Sequence, residues 1–219
     1  MKKYKILNLY ACLGGNRYKW DEVADNLEIT AVELDPEAAR LYQERFPNDT
    51  VIVADAHQYL LDHYKEFDFI WSSPPCPTHS KVRFTQKNQD FYKPEYPNMM
   101  LYQEIIFLKH HFEGKYCIEN VIPYYEPLIA GQKRGRHLYW SNFIITNFKI
   151  RDAKIREWQL PQLEKHHDID LSKYNGTQNK RKMARNLVDY EAGKTILETA
   201  LNIYKKTNVN QTSIFDYEV

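Results

Sequence analysis

Short apolar runs alternate with helix-like stretches along the first half of the chain. Runs of strand length occupy residues 6–9, 29–33, 51–55 and 67–71, and helix-like stretches occupy 18–26, 36–46 and 59–64. Strands that alternate with helices in this way form a mostly parallel sheet with helices on both faces. The pattern therefore predicts an α/β fold with a doubly wound sheet.

The pattern becomes less regular in the second half. Residues 73–97 include five prolines and many polar side chains, which predicts a long loop of the kind that often closes over a site. Further predicted elements are a helix at 98–111, a fifth strand at 116–119, a hairpin of 136–140 with 143–148 at one edge of the sheet, and a helix at 190–204. Residues 151–185 are polar and predicted to be irregular, and the tail after Lys206 is expected to be disordered.

Composition limits the kinds of protein that this chain can be. At 219 residues and 43% hydrophobic content, one domain with a sizeable core is expected, with room for a small appendage. Lys and Arg number 30 and Asp and Glu 29, so any nucleic-acid contact must come from a local basic face. With neither a signal-peptide core nor an apolar stretch of membrane-spanning length, a cytoplasmic protein with no membrane partner is expected.

One of the three cysteines stands where open α/β folds place their chemistry. Cys76 follows the fourth predicted strand and Glu119 ends the fifth, so both are expected at the carboxyl edge of the sheet. A thiol and a carboxylate at that edge suit covalent chemistry on a pyrimidine ring. Taken alone, a single cysteine is more often a buried, inert side chain. Together with Cys12 and Cys117 it shows no metal-ligand spacing, so a reducing compartment and no metal site are expected.

The ends of the first three strands predict a cofactor site. A glycine-containing loop at 10–15 follows the first strand, Glu33 ends the second, and Asp55 ends the third. Glycines allow close backbone approach, and an acid in the place of Glu33 suits a ribose diol. The loop lacks the lysine of a nucleotide-triphosphate loop. An adenosine-containing cofactor without phosphates is therefore predicted.

Seven short motifs carry a family resemblance. They are Leu9–Gly15, Glu33-Leu34-Asp35, Asp55-Ala56, Pro74-Pro75-Cys76 with Ser80, Glu119-Asn120-Val121, the Gln-x-Arg-x-Arg pattern at 132–136, and Asn186-Leu187-Val188. In this order and spacing they resemble the DNA cytosine-5 methyltransferases, over residues 5–148 and again from about 184. Asn8, Cys12 and Arg185 depart from the family's usual acid, glycine and glycine.

The resemblance implies a Rossmann-like methyltransferase fold with S-adenosylmethionine as cofactor. The cofactor-binding residues that it implies are Tyr10, Ala11, Cys12, Leu13, Gly15, Glu33, Leu34, Asp55, Ala56, Pro74, Leu101, Asn186 and Val188.

The resemblance also implies catalytic roles for four residues. Cys76 would attack carbon 6 of cytosine, with Arg134 favouring its thiolate. Glu119, with its carboxyl pKa raised by burial, would hydrogen-bond the ring nitrogen. Arg136 would hold the carbonyl oxygen of the base.

DNA contacts are expected from the 77–97 loop, which would close over a flipped base, and from a basic run near residue 180. The predicted contact residues are Ser80, Lys81, Arg83, Gln132, Lys180, Arg181 and Lys182. The basic run is equally consistent with a solvated loop.

The predicted divisions are a catalytic core at 1–150, a reduced target-recognition segment at 151–185, a returning helix at 186–206 and a tail at 207–219. So short a recognition segment predicts a short or relaxed target sequence in double-stranded DNA. Gln211–Phe215 resembles the pentapeptide that binds the bacterial sliding clamp. Alternatively, Ile214 and Phe215 dock on the chain's own core.

Two other functions remain open. One branch of the resembling family modifies transfer RNA, so an RNA cytosine-5 methyltransferase is the first alternative. The second is a catalytically weak nucleic-acid-binding regulator, which the departures at Asn8 and Cys12 suggest.

Overall fold

A seven-stranded sheet forms the centre of the molecule, as seen in a computed structural model that describes residues 3–148 and 157–203. The strands are β1 (Tyr4–Leu9), β2 (Leu27–Glu33), β3 (Thr50–Val53), β4 (Phe69–Ser72), β5 (Lys115–Val121), β6 (Gln132–Arg134) and β7 (His137–Ser141). Their order across the sheet is β3-β2-β1-β4-β5-β7-β6. The first five are parallel, and β7 and β6 complete one edge as an antiparallel hairpin.

Helices cover both faces of this sheet. They are α1 (Pro36–Arg45), α2 (Ala56–His63), α3 (Val82–Thr85), α4 (Met100–His111), α5 (Leu160–His167), α6 (Lys180–Asn186) and α7 (Tyr190–Leu201), with single 3-10 turns at Trp20–Glu22 and Tyr64–Glu66. Alternating strands and helices around a mostly parallel sheet make this a Rossmann-like α/β fold, so the predicted fold class is confirmed.

The buried positions of the strands explain the two layers of the core. Leu7 and Leu9 of β1 point to the face that α2 and α4 cover, whereas Ile6 points to the face that α7 covers. Both faces of β1 are mainly apolar because a central parallel strand is buried on both sides, and the one buried polar side chain of this strand, Asn8, accepts from the Asn16 amide. Trp20 and Trp71, both fully buried, fill the α7 side with their rings 6.3 Å apart.

Side-chain caps start the helices that follow β2 and β3. The Asp35 carboxylate accepts from the backbone N–H groups of the first turn of α1, and Pro36 supplies a first helical residue that needs no hydrogen-bond acceptor. The Asp55 carboxylate accepts from the backbone N–H of Gln58 in α2. Both caps place an acid at the carboxyl edge of the sheet.

The predicted helix at 18–26 is wrong. Only the 3-10 turn at Trp20–Glu22 forms there. Arg17 is buried and bonds both carboxylate oxygens of Asp49 at 2.9 and 3.0 Å, while the indole N–H of Trp20 donates to the Gly193 carbonyl. These long-range contacts, which local periodicity does not report, determine the course of the segment.

The predicted hairpin has the wrong partners. The strands that pair are β6 and β7, with the turn at Gly135 and Arg136, and residues 143–148 form no strand. Gly135 has a φ of 56°, the left-handed conformation that tight hairpin turns require and that glycine adopts without strain. The chain therefore makes its hairpin turn at Gly135 and not at Ser141-Asn142.

The segment after residue 157 is more ordered than predicted. It contains α5 and α6, whose Leu163 and Met183 pack with Leu13 and Ala38 of the core. The apolar positions of these two short helices are too few to be recognised as a periodic pattern in the sequence, where polar residues predominate. The predicted recognition role of residues 151–185 stays a prediction, and residues 151–156 and Gln211–Phe215 lie outside the described residues.

Crossing a bilayer needs a helix that is both long and apolar, and none of the helices within residues 3–148 and 157–203 meets both conditions.

Candidate active site

A cleft of about 830 Å³ opens at the carboxyl ends of β1, β2, β4 and β5. Loops after these strands form its floor, and residues of the 171–188 region form one wall. Its lining includes Tyr10, Ala11, Cys12, Gly15, Glu33, Leu34, Asp55, Ala56, Pro74, Cys76, Ser80, Glu119, Arg136, Lys182, Asn186 and Val188. Most of the residues predicted from the sequence thus meet in one cavity.

The loop after β1 bends sharply to form the floor of the cleft. Tyr10 and Cys12 adopt positive φ values of 56° and 46°, which are uncommon and strained for residues with side chains of this size. Gly15 lies against the chain that follows α6, because a Cβ there would come within 2.6 Å of the Val188 carbonyl oxygen. Glycine at this position allows the final motif to pack on the loop.

Glu33 ties the loop to the end of β2. Its two carboxylate oxygens accept from the backbone N–H groups of Cys12 at 2.8 Å and Asp35 at 2.9 Å. Burial raises the pKa of Glu33, and these two hydrogen bonds oppose that rise. A backbone hydrogen bond from Leu34 also opposes the rise, so of the roughly four lone-pair sites of the carboxylate about one remains for a hydroxyl donor. Burial, with the nearby Glu33 charge, raises the pKa of the Cys12 thiol to about 12, which disfavours its thiolate.

Asp55 and Leu34 complete this side of the cleft. Asp55 is exposed, and the backbone N–H of Gln58 donates to its Oδ1 at 2.8 Å. Leu34 is 67% exposed, although a large apolar side chain is normally buried. Two carboxylates and an apolar side chain are the groups that a ribose diol, an exocyclic amine and an aromatic ring would contact. This side of the cleft therefore fits an adenosine.

The segment after α5 closes over the adenosine-type side. The Tyr174 hydroxyl and the Gln178 amide donate to the Asp35 carboxylate at 2.5 and 2.7 Å. Partial burial acts to raise the pKa of Asp35, but these donors and the start of α1 hold it below its usual value. Thr177 and Gln178 line the cleft, yet no sequence motif indicated them.

On the other side of the cleft, the loop after β4 presents Cys76. The carbonyl oxygen of Pro74 accepts from the Asn120 side chain at 2.9 Å. The backbone N–H groups of His79 and Ser80 donate to the Cys76 carbonyl at 3.0 and 3.1 Å. These bonds hold the half-buried thiol next to the end of β5.

Opposing charges act on the Cys76 thiol. Burial raises its pKa, and so does the negative charge of Glu119. Lys182 and Arg136 act in the opposite direction. Protonation of Glu119 would remove the negative contribution and leave both cations, which favours the thiolate.

Glu119 is a buried carboxyl group whose pKa is raised toward neutral pH. Burial raises its pKa to about 7, against a hydrogen bond from Ser73 and the positive charge of Arg136. His137, which the sequence did not indicate, places its Nε2 3.5 Å from the Glu119 Oε1. A buried acid with this pKa can donate a proton to a ring nitrogen at neutral pH.

Arg134 lies elsewhere, so its predicted role beside Cys76 is wrong. Its guanidinium donates to the carbonyls of Lys133, at 2.9 Å, and Ile145. The turn at Gly135 directs Arg134 toward the 143–148 segment, and it is not among the described residues that line the cleft. Gln132 likewise bonds backbone groups of Phe143 and Ile145, so it supports the hairpin.

Other predicted residues divide between core and surface. Leu13 and Leu101 are buried in apolar clusters outside the described cleft lining, so their side chains are not exposed to a cofactor in the cleft.

Two of the predicted DNA-contact residues bond groups of the protein itself. Arg83 bonds the Lys93 carbonyl and pairs with Glu95, and Arg181 donates to the Trp158 carbonyl. Lys81 and Lys180 are not part of the described cleft lining, whereas Lys182 and Ser80 are. Their DNA contacts stay predictions.

Several lining residues were missed by sequence reasoning. They include Asn16, Ser73, Asn120, Val121, His137, Thr177, Gln178 and Arg185. Asn120 and Val121 belong to one of the seven motifs, and Arg185 was noted as a departure from the family pattern, so the sequence did indicate these three positions.

Within residues 3–148 and 157–203, no group of three or more His, Cys, Asp or Glu side chains is arranged to hold a metal ion.

Fold and cleft together define a Rossmann-like α/β protein with an adenosine-type side and a side that carries a thiol, a carboxylic acid and an arginine. The family model of the C-5 cytosine-specific DNA methylases matches residues 4–123, which is more than half of the chain. The chain belongs to that family.

Solved structures with related folds include other methyltransferases. A DNMT2 mutant from Spodoptera frugiperda is 26% identical with a TM-score of 0.38, over 54% of this chain and 36% of that chain. The methyltransferase EhMeth of Entamoeba histolytica is 15% identical with a TM-score of 0.35, over 55% and 39%. A TehB-like SAM-dependent methyltransferase from Corynebacterium glutamicum is 15% identical with a TM-score of 0.36, over 55% and 56%. The chain thus spans little more than a third of the first structure. A search of the curated proteins finds no significant match.

Proposed function

We propose that the protein transfers a methyl group from S-adenosylmethionine to carbon 5 of cytosine in DNA, through a covalent adduct with Cys76. The observation that carries the proposal is the meeting of Cys76, Glu119 and Arg136 in one cleft with the adenosine-type side formed by Glu33 and Asp55. Family membership supports the same reaction. The cofactor, when bound, supplies an electrophilic methyl group.

Cys76 and Glu119 activate the base together. The thiolate attacks carbon 6 while the Glu119 carboxylic acid gives its proton to N3, so the ring becomes an enamine with a nucleophilic carbon 5. The raised pKa of Glu119 keeps a large fraction of this acid protonated at neutral pH. Once the acid is neutral, it no longer repels the thiolate.

Arg136 orients the base and balances charge. Its guanidinium donates to the O2 carbonyl of cytosine, while its positive charge opposes the rise in the pKa of Cys76. After carbon 5 has taken the methyl group, its hydrogen leaves as a proton to water. The bond between sulfur and carbon 6 then breaks, and N3 returns its proton to Glu119.

The substrate must present a cytosine that is outside a base-paired stack. The cleft opens between the Cys76 loop and the α6 region, where Lys182 and Arg185 add positive charge to the lining. We infer that these cations contact the phosphates on either side of a flipped nucleotide.

Trapping of the covalent adduct tests the proposal. Duplex DNA that contains 5-fluorocytosine lacks the hydrogen that must leave from carbon 5, so the adduct accumulates. We expect a complex that survives denaturing electrophoresis and needs both S-adenosylmethionine and Cys76. In parallel, labelled cofactor is offered with duplex DNA or with transfer RNA.

Three outcomes distinguish the alternatives. Label in DNA and a trapped complex support the proposal. Label in RNA alone would keep the chemistry but replace the substrate. Cofactor binding without label in either nucleic acid, and without a trapped complex, would overturn the enzymatic role and favour a binding regulator.

A further inference from the structure

Glu104 is a buried carboxylate that the reaction above does not use. It lies in the middle of α4, is fully buried, and is not part of the described cleft lining. The Tyr10 hydroxyl donates to its Oε1 and the Ser72 hydroxyl to its Oε2, both at 2.6 Å, and His57 Nδ1 lies 3.1 Å from Oε1. Burial of a carboxylate is unfavourable unless donors surround it, and here three side chains do so.

Each partner of Glu104 belongs to a segment that forms the cleft. Tyr10 is the strained first residue of the loop after β1 and itself lines the cleft. His57 lies in the first turn of α2, directly behind Asp55 and Ala56. Ser72 ends β4 and precedes the loop that carries Cys76. One carboxylate thus contacts the cofactor side and the catalytic side at once.

The hydrogen-bonded path continues from Ser72 to the catalytic acid. Ser73, the next residue, accepts from the Trp71 indole at 2.8 Å and hydrogen-bonds Glu119. Because a hydroxyl has one hydrogen, Trp71 orients Ser73 so that it donates to Glu119. A change in the position of Ser72 is therefore transmitted to Ser73 and Glu119 through one peptide unit.

Charges around Glu104 keep its partners in their donor forms. Burial and the nearby Glu104 charge raise the pKa of Tyr10, so it stays a phenol that donates. The bond to Glu104 raises the pKa of His57, with a smaller contribution from Asp55. An ionised Glu104 that accepts from these groups is the arrangement in which every donor is satisfied.

We propose that Glu104 is a positioning residue that couples the cofactor loop to the catalytic loop through Tyr10 and Ser72. The proposal deepens the proposed function and rests on it. Removal of the carboxylate releases both hydroxyl groups at once, so cofactor affinity and the reactivity of Cys76 change together.

Glu104→Gln tests this coupling, because the amide keeps the shape but loses the charge and one acceptor oxygen. We expect cofactor affinity to fall roughly tenfold, as for loss of one charged hydrogen bond. The rate of adduct formation at saturating cofactor should fall as well. Glu113→Gln, an exposed residue just beyond α4, removes the same charge and should change neither quantity.

A readout without cofactor or DNA separates this proposal from the proposed function. Alkylation of Cys76 in the free protein reports its thiolate, and mass spectrometry distinguishes it from Cys12 and Cys117. The groups that face Cys76 are Glu119 on β5, Arg136 at the hairpin turn and Lys182 on α6. Loss of the Ser73 bond raises the pKa of Glu119, so less Glu119 is charged at pH 7, near its own pKa, and the Cys76 thiol is alkylated faster at that pH.

A double-mutant cycle identifies the route. Tyr10→Phe and Ser72→Ala should have non-additive effects on the logarithm of the Cys76 alkylation rate at pH 7 in the wild-type background and additive effects with Glu104→Gln. An unchanged alkylation rate of Cys76 at pH 7 in Glu104→Gln, or additive effects in both backgrounds, would overturn the coupling. A wild type that never forms the DNA adduct would instead refute the proposed function, and the alkylation results would still decide the role of Glu104.

Discussion

Three thiols of the same intrinsic chemistry have different surroundings in this molecule. Cys117 of β5 is fully buried in the core on the α7 side, and the backbone N–H of Cys12 donates to Glu33 at the cleft. Cys76 is the thiol near which two cations lie, although burial and Glu119 still raise its pKa. The reactivity of Cys76 therefore depends on whether Glu119 is protonated, so the two groups titrate as a coupled pair.

Replacement of the proposed nucleophile gives a direct prediction. Cys76→Ala should abolish adduct formation and lower methyl transfer by more than about a thousand-fold, because no other group attacks carbon 6. Cofactor binding, measured by calorimetry, should be unchanged. Cys117→Ala is the matched control, which loses a thiol but keeps the reaction. Appreciable methyl transfer by Cys76→Ala would remove this residue from its role.

Glu119 predicts a pH-dependent stability. Its pKa is about 7 in the folded protein against an ordinary 4.5, so the folded state binds more protons between these values. Stability from this group is therefore present below about pH 4.5 and lost as pH rises through 7. A shift of this size corresponds to about 3 kcal/mol.

Glu119→Gln removes the titration. We expect the variant to be more stable than the wild type at pH 8 by up to about 3 kcal/mol, with a smaller gain at pH 5, in urea unfolding. Methyl transfer should fall sharply, because an amide cannot give a proton to N3. Equal stability changes at both pH values would show that Glu119 does not titrate near 7.

At the scale of elements, the hairpin of β6 and β7 distributes two arginines to different surroundings. Arg136 lines the cleft beside Glu119 and Cys76, while Arg134 bonds backbone carbonyls of the hairpin side. The turn at Gly135 separates them, although only one residue lies between them in the chain.

A matched pair of substitutions follows from this placement. Arg136→Lys should lower methyl transfer at least tenfold with little change in stability, because lysine lacks the planar guanidinium whose fixed donor geometry orients the O2 carbonyl of the base. Arg134→Lys should lower the free energy of unfolding by about 1 kcal/mol and leave turnover intact. Turnover rates and denaturant unfolding measure the two effects. The reverse pattern would place Arg134 at the base after all.

Helix α7 docks on the core through a glycine. A Cβ at Gly193 would lie 2.0 Å from the carbonyl oxygen of Asn16. Gly193→Ala should therefore destabilise by about 2 kcal/mol or more through overpacking, although alanine favours an isolated helix by about 1 kcal/mol. Thermal unfolding measures the effect, with Thr195→Ala, a half-buried position on the same helix, as the control. A stabilised Gly193→Ala would mean that α7 is not held this close.

At the scale of the whole molecule, charge is balanced overall but uneven at the cleft. The net charge of the sequence is +1, whereas Arg136, Lys182 and Arg185 all line the cleft. A nearly neutral protein gains little from general attraction to DNA, so binding should depend on this local set.

Salt dependence of DNA binding measures that local set. Lys182→Ala should weaken binding uniformly across sequences and reduce the slope of affinity against salt by about 1. Lys173→Ala, on the exposed surface near Glu44, is the charge-matched control. An unchanged slope for Lys182→Ala would place the DNA elsewhere on the protein.

Local patterns in the chain determined much of the architecture. The alternation of apolar strands with helices predicted the parallel sheet, because each strand and helix buries its own periodic face. The positions of Cys76 and Glu119 at strand ends predicted that they share one edge, since parallel strands end together. These inferences need only short stretches of chain.

Tertiary structure alone decided the features that depend on distant residues. Arg134 and Arg136 both fit the motif, but the Gly135 turn determined which one reaches Cys76. Burial raised the pKa of Glu119, and packing of the 171–188 region added Tyr174 and Gln178 to the cofactor side. Burial, pKa and side-chain direction arise from neighbours far away in sequence, so no local pattern could report them.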